Sequence, residues 1–66
     1  MTNTLKLKAK IVESGKTYKE IAYDLGVCEI SLRNKINNKA VFKVTEIVEL
    51  CRILNIEDIV GYFFAH

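Results

Sequence analysis

Between Glu29 and Asn34 the chain sets four side chains able to engage the edge of a flat heterocycle. Arg33 offers a planar fork of N–H donors, Asn34 a donor beside an acceptor, Glu29 two acceptor oxygens and Ile30 a branched aliphatic surface. Each has a partner in the major groove of duplex DNA. Arg33 can bond guanine O6 and N7 together, Asn34 can pair with adenine N6 and N7, Glu29 can accept from cytosine N4, and Ile30 can touch a thymine methyl. All four share an outer face if Cys28 to Asn37 is helical, because Leu32 and Ile36, four residues apart, then take the inner one. A face that met only solvent would have little use for an isoleucine between Glu29 and Ser31. Ser31 lies nearer the core and is expected to hydrogen-bond locally. Glu29 is the awkward member, since an acid repels phosphates unless a cytosine donor or Arg33, at i+4, answers it.

The residues before this segment say how it would be held. Thr17-Tyr18-Lys19-Glu20 is a capping box, so a helix is expected to start at Tyr18. Ile21, Ala22 and Leu25 mark its buried face, and Gly26 supplies the residue that accepts positive φ where it stops. Val27 tucks under the turn and the second helix begins at Cys28. Two short helices about a glycine, the second with a polar face, have the layout of a helix-turn-helix. Ala22 is small where two steeply crossing helices approach closely.

On these residues the chain resembles the helix-turn-helix domains of the phage repressor and Cro class, the XRE or lambda-repressor-like family. The apolar core of that motif takes the form Ile21-Ala22 followed by Leu25-Gly26-Val27, and the resemblance runs from about Leu7 to Phe64. The segment NNKAVFKVTEIVELCRILNIEDIVGYFF is especially like small proteins from the immunity regions of Gram-positive phages and prophages. The resemblance implies an all-α, five-helix lambda-repressor-like domain whose second and third helices form the motif. It also implies that the second motif helix lies in the major groove, with Glu29, Ile30, Arg33 and Asn34 as the base readers. Two residues depart from the family's pattern. Cys28 stands where Ser or Thr usually caps the second helix, and Lys35 stands where an apolar residue is common. The first should leave that helix end poorly capped, and the second should rotate or extend the helix slightly.

Charge divides along the chain in the same sense. Residues 1–43 hold nine Lys or Arg against four acids, a formal +5, whereas residues 44–66 hold one Arg against four acids, a formal −3. The basic part contains the motif, as expected of a face that meets phosphates. Thr17, Tyr18 and Lys19, at a helix N-terminus, and Lys39 and Lys43, after the reading helix, are the phosphate candidates. Catalysis has no comparable basis. The only histidine is His66, there is no glycine-rich phosphate loop or C-x-x-C pair, and Cys28, Cys51 and His66 lack zinc-site spacing. No cofactor, metal or small-molecule substrate is expected.

The remaining sequence places the elements around the motif. Leu5 to Ser14 reads as a first helix with Leu7 and Ile11 inward, capped by Asn3 or Thr4 and ended by Gly15. Asn38 is suited to a left-handed turn, residues 40–43 form a loop, and Val44, Ile47, Leu50, Cys51 and Leu54 mark the buried stripe of a fourth helix ending at Asn55. A short fifth helix is expected from Glu57 or Asp58, carrying Ile59 and the run Tyr62-Phe63-Phe64. Either these three aromatics close the core, or at least one of them is exposed and Tyr62, Phe63 and Phe64 make a dimer seam; the second alternative is the expectation. The 66 residues make one domain, which buries only roughly 60% of its unfolded surface and gains from pairing. No apolar run approaches the roughly 20 residues of a membrane span, and a cytoplasmic location with both cysteines reduced is expected. The function expected is that of a sequence-specific transcriptional regulator of Cro or repressor type, a weak homodimer on operator DNA. The alternative is a protein-interaction module on the same fold, acting on a partner repressor or as an antitoxin.

Overall fold

A computed structural model describes residues 1–64; Ala65 and His66 lie outside the described residues. Five helices and no strand make up the described chain: α1 (Thr4–Ser14), α2 (Tyr18–Leu25), α3 (Glu29–Ile36), α4 (Val44–Leu54) and α5 (Ile59–Phe63). None is long and apolar enough to cross a membrane.

Local chemistry sets the boundaries. The Asn3 side chain accepts from the Lys6 amide and starts α1 one residue earlier than the apolar pattern suggests. At α2, Thr17 Oγ1 accepts from the Glu20 amide at 3.1 Å while Glu20 Oε1 accepts from the Thr17 amide at 2.9 Å, the reciprocal box read from the sequence. Gly26 closes α2 at φ 75°, where a Cβ would be strained. Asn38 and Asn55 take the same left-handed region at φ 63° and 57°, ending the turn after α3 and helix α4 respectively. Asp58 caps α5 by accepting from the Gly61 amide, so that helix begins at Ile59.

Leu7, Ile21, Leu32, Ile36 and Leu50 are fully buried where α1, α2, α3 and α4 converge. Phe42, from the loop after α3, meets Phe63 of α5 edge to face with centroids 5.5 Å apart. Phe63 is therefore core. Of the three aromatics expected at a dimer seam, Tyr62 is half-buried beneath Lys6, and only Phe64 is substantially exposed. Adjacent residues on a short helix point in different directions, so a run of three rings cannot share one face.

The N-terminal segment ties the back of α3 to α5. Thr4 Oγ1 donates to the Ile36 carbonyl, Thr2 and Asn38 exchange two hydrogen bonds, and the Asn3 amide donates to the Tyr62 carbonyl. One element of the expected core is different. Val44 points to solvent, and the first turn of α4 buries Glu46 instead. Its carboxylate accepts from Lys35 Nζ at 2.6 and 2.8 Å and from the Lys43 amide at 2.8 Å. Lys35 and Glu46 are both nearly buried, so the lysine at an apolar position is matched by an acid on the facing helix rather than by rotation into water.

This pair has a pH signature. Burial pushes the Glu46 carboxyl up, but the Lys35 ammonium, the Lys43 amide and the two lysine charges pull it further down, leaving it below its ordinary value. Its contribution is complete above the unfolded value of about 4.3 and is lost as pH falls through the lower folded value. Lys35→Met should cost about 2–3 kcal/mol at neutral pH, less than for a fully orphaned charge because the Lys43 amide remains. In urea unfolding, its deficit against the unsubstituted chain should shrink between pH 7 and pH 3.

Candidate functional site

Leu32 and Ile36 are the only fully buried side chains of α3, which leaves the opposite face open. Ile30 is 74% exposed at its centre. Arg33 lies beside it, and Asn34 is half-buried at the edge. Ile30 is not among the apolar residues packed on the core cluster, so its apolar atoms are available to a partner.

Arg33 is held on two sides. Its Nε and Nη2 both donate to Glu29 Oε2, at 3.2 and 3.0 Å, and its guanidinium carbon sits 4.3 Å from the centroid of the Tyr18 ring. Tyr18 is the first residue of α2, so this stack joins the start of one helix to the outer face of the next. Glu29 thereby has the internal partner that its position called for, and the pair presents no net charge to an approaching anion.

Thr17, Tyr18, Lys19, Glu29 and Arg33 border one shallow groove, with Lys16 beside them and Ile11 and Val12 of α1 at its wall. Of the residues expected to touch phosphate, three are thus brought together with α3. Lys39 and Lys43 are exposed on the α3–α4 connection and do not border that groove. Lys16 was not singled out by motif position; its signal is a cation immediately before a helix N-cap. The amide of Thr17 is occupied by Glu20, whose carboxyl is held low by that backbone bond and by the Thr17 hydroxyl. Both polar groups of Thr17 are thus engaged within the capping box.

Residues 3–66 match a protein family described as "Protein of unknown function (DUF739)". The chain belongs to that family. Neither a curated protein nor a solved structure matches it. Membership in DUF739 brings no stated activity, so the chemistry of the α2–α3 face has to carry the functional argument.

Cys28 occupies the N-cap of α3 with extended backbone, φ −73° and ψ 150°, and makes no side-chain cap bond. The geometry suits a hydroxyl acceptor. Cys28→Ser should stabilise the domain by about 0.5–1 kcal/mol, a rise of several degrees in melting temperature for a chain of this size. Calorimetry of the two proteins checks it, and an unchanged or lowered melting temperature would mean that the new hydroxyl does not reach the α3 amides.

Proposed function

We propose that this chain is a sequence-specific DNA-binding regulator of helix-turn-helix type, with α2 and α3 as the motif and α3 entering the major groove. The observation that carries the proposal is the outer face of α3, which bears an exposed isoleucine and an arginine held against the N-terminus of α2. Lys16 and Lys19 then lie where a helix that bridges the backbone would meet phosphate oxygens. The basic balance of residues 1–43 has the sign this needs. The resemblance to Cro and repressor domains points the same way, toward a small phage or prophage regulator that acts by occupying an operator.

Arg33→Ala tests the register. On the cognate duplex it should cost about 1–3 kcal/mol, and on random DNA much less, because a forked guanine contact discriminates whereas a phosphate contact does not. A gel-shift titration against the DNA flanking the chain's own gene supplies both numbers. Equal weakening on the two DNAs would make Arg33 a backbone contact.

Salt dependence tests the partner class. About four phosphate contacts per monomer would give a log–log slope of roughly −3 to −4, doubled in a dimer. Lys19→Ala should flatten that slope without altering base preference. The exposed Ile30 and the self-neutralised Glu29–Arg33 pair favour a second reading, a face for a partner protein, and a complex insensitive to salt would support it.

Pairing would come from a second groove, which shares no residue with the first. Phe64 is half exposed beside Met1 and Val41, both largely exposed, at the rim of a groove floored by Phe42 and Phe63. One monomer offers little contact, whereas a twofold pair would set two reading helices about 34 Å apart, one turn of DNA. Phe64→Asp should lower self-association in sedimentation and operator affinity together while leaving helicity unchanged. Phe63→Ala should instead unfold or destabilise the monomer by about 3–5 kcal/mol.

A further inference from the structure

Resting on the DNA-binding reading, we propose that Glu29 and Tyr18 are positioning residues that present Arg33 end-on to one guanine per half-site, and that Glu29 itself touches no base. A guanidinium carries five N–H groups. Two of them, on Nε and Nη2, are taken by the single oxygen Oε2 of Glu29, and one face of the plane lies against Tyr18. The edge left open is the one formed by Nη1 and the second proton of Nη2. Its two parallel protons require two acceptors side by side in one plane. In the major groove guanine supplies that pair through O6 and N7, whereas adenine sets a donor beside its acceptor.

The pair is half exposed on both sides, at 51% for Arg33 and 41% for Glu29, so it adds little to the stability of the free domain. Its effect lies in orientation. An arginine already fixed by a carboxylate and a ring loses less rotamer freedom on binding than a free one. The carboxylate also cancels a charge that would otherwise attract any phosphate, which lowers affinity for random DNA and widens discrimination. Glu29 is thus useful near DNA because it is occupied. A contact from Glu29 to cytosine N4 would be made by the remaining oxygen at best, and would pull the anchor away from Arg33.

The test uses the full chain and a library of random duplexes. From it the unsubstituted protein should select sites with one fixed guanine per half-site, and 7-deazaguanine there, which lacks N7, should weaken binding about tenfold. Glu29→Ala should bind random duplex more tightly, lose about tenfold in the ratio of selected to random affinity, and become indifferent to 7-deazaguanine, with its circular dichroism unchanged. Glu29→Gln, uncharged but still an acceptor, should retain more of the guanine preference than Glu29→Ala. Tyr18→Phe keeps the ring and should keep the preference. If Glu29→Ala retains the full 7-deazaguanine penalty and shifts both DNAs by the same factor, Glu29 acts through charge alone and the proposal fails while DNA binding stands. If the unsubstituted chain selects no sequence, the DNA-binding reading fails and the proposal falls with it.

Discussion

An eight-residue helix that buries two side chains does not hold itself together in water, and α3 is such a helix. Everything else in the domain is arranged around that constraint. Leu32 and Ile36 seat α3 on the core, and its C-terminal end is tied through Ile36 to Thr4, through Asn38 to Thr2 and through Lys35 to Glu46. Its N-terminal end has no side-chain cap and rests on Val27 packed below the turn, while the stack of Arg33, one turn further on, against Tyr18 joins the helix to α2. A helix fixed from behind in this way can give its whole front face to a ligand. That front face is where the exposed isoleucine and the oriented arginine stand.

Electrostatics follow the same division. Two of the three acids of α2 and α3 are taken up within the fold, Glu20 by the capping box and Glu29 by the arginine pair, and only Asp24 stands exposed. Both carboxylates are thereby occupied, so the lysines at the start of α2 keep their reach. Glu46 serves instead as an internal anchor for Lys35, and Asp58 pairs with Lys6 at the surface. A chain with a small formal charge can in this way present a positive side.

Much of this was legible in the residues themselves. The capping box at Thr17 and Glu20, the positive φ at Gly26, Asn38 and Asn55, the bare cap at Cys28 and the bounds of α4 all follow from local chemistry that acts over three or four residues. Contacts that span the fold were not legible. A periodic reading puts valine in and glutamate out, and only the ammonium of Lys35, eleven residues away, reverses that order at Val44 and Glu46. The same holds for Phe63 and Phe64, neighbours in the sequence that the packing of Phe42 separates into core and surface. At the site, the Glu29–Arg33 spacing was visible as an i to i+4 pair, whereas the Tyr18 ring beneath it depends on the angle between two helices.

The central claim is that the outer face of α3, with the start of α2, is the surface that meets duplex DNA. Its most direct measurement is an amide chemical-shift titration of the isotope-labelled chain with a short duplex from its own regulatory region. The account predicts that the largest shifts fall between Lys16 and Lys19 and between Glu29 and Asn34, and that they diminish together as salt is raised. Shifts confined to α4 and α5, or none at a protein concentration where the duplex is in excess, would contradict it.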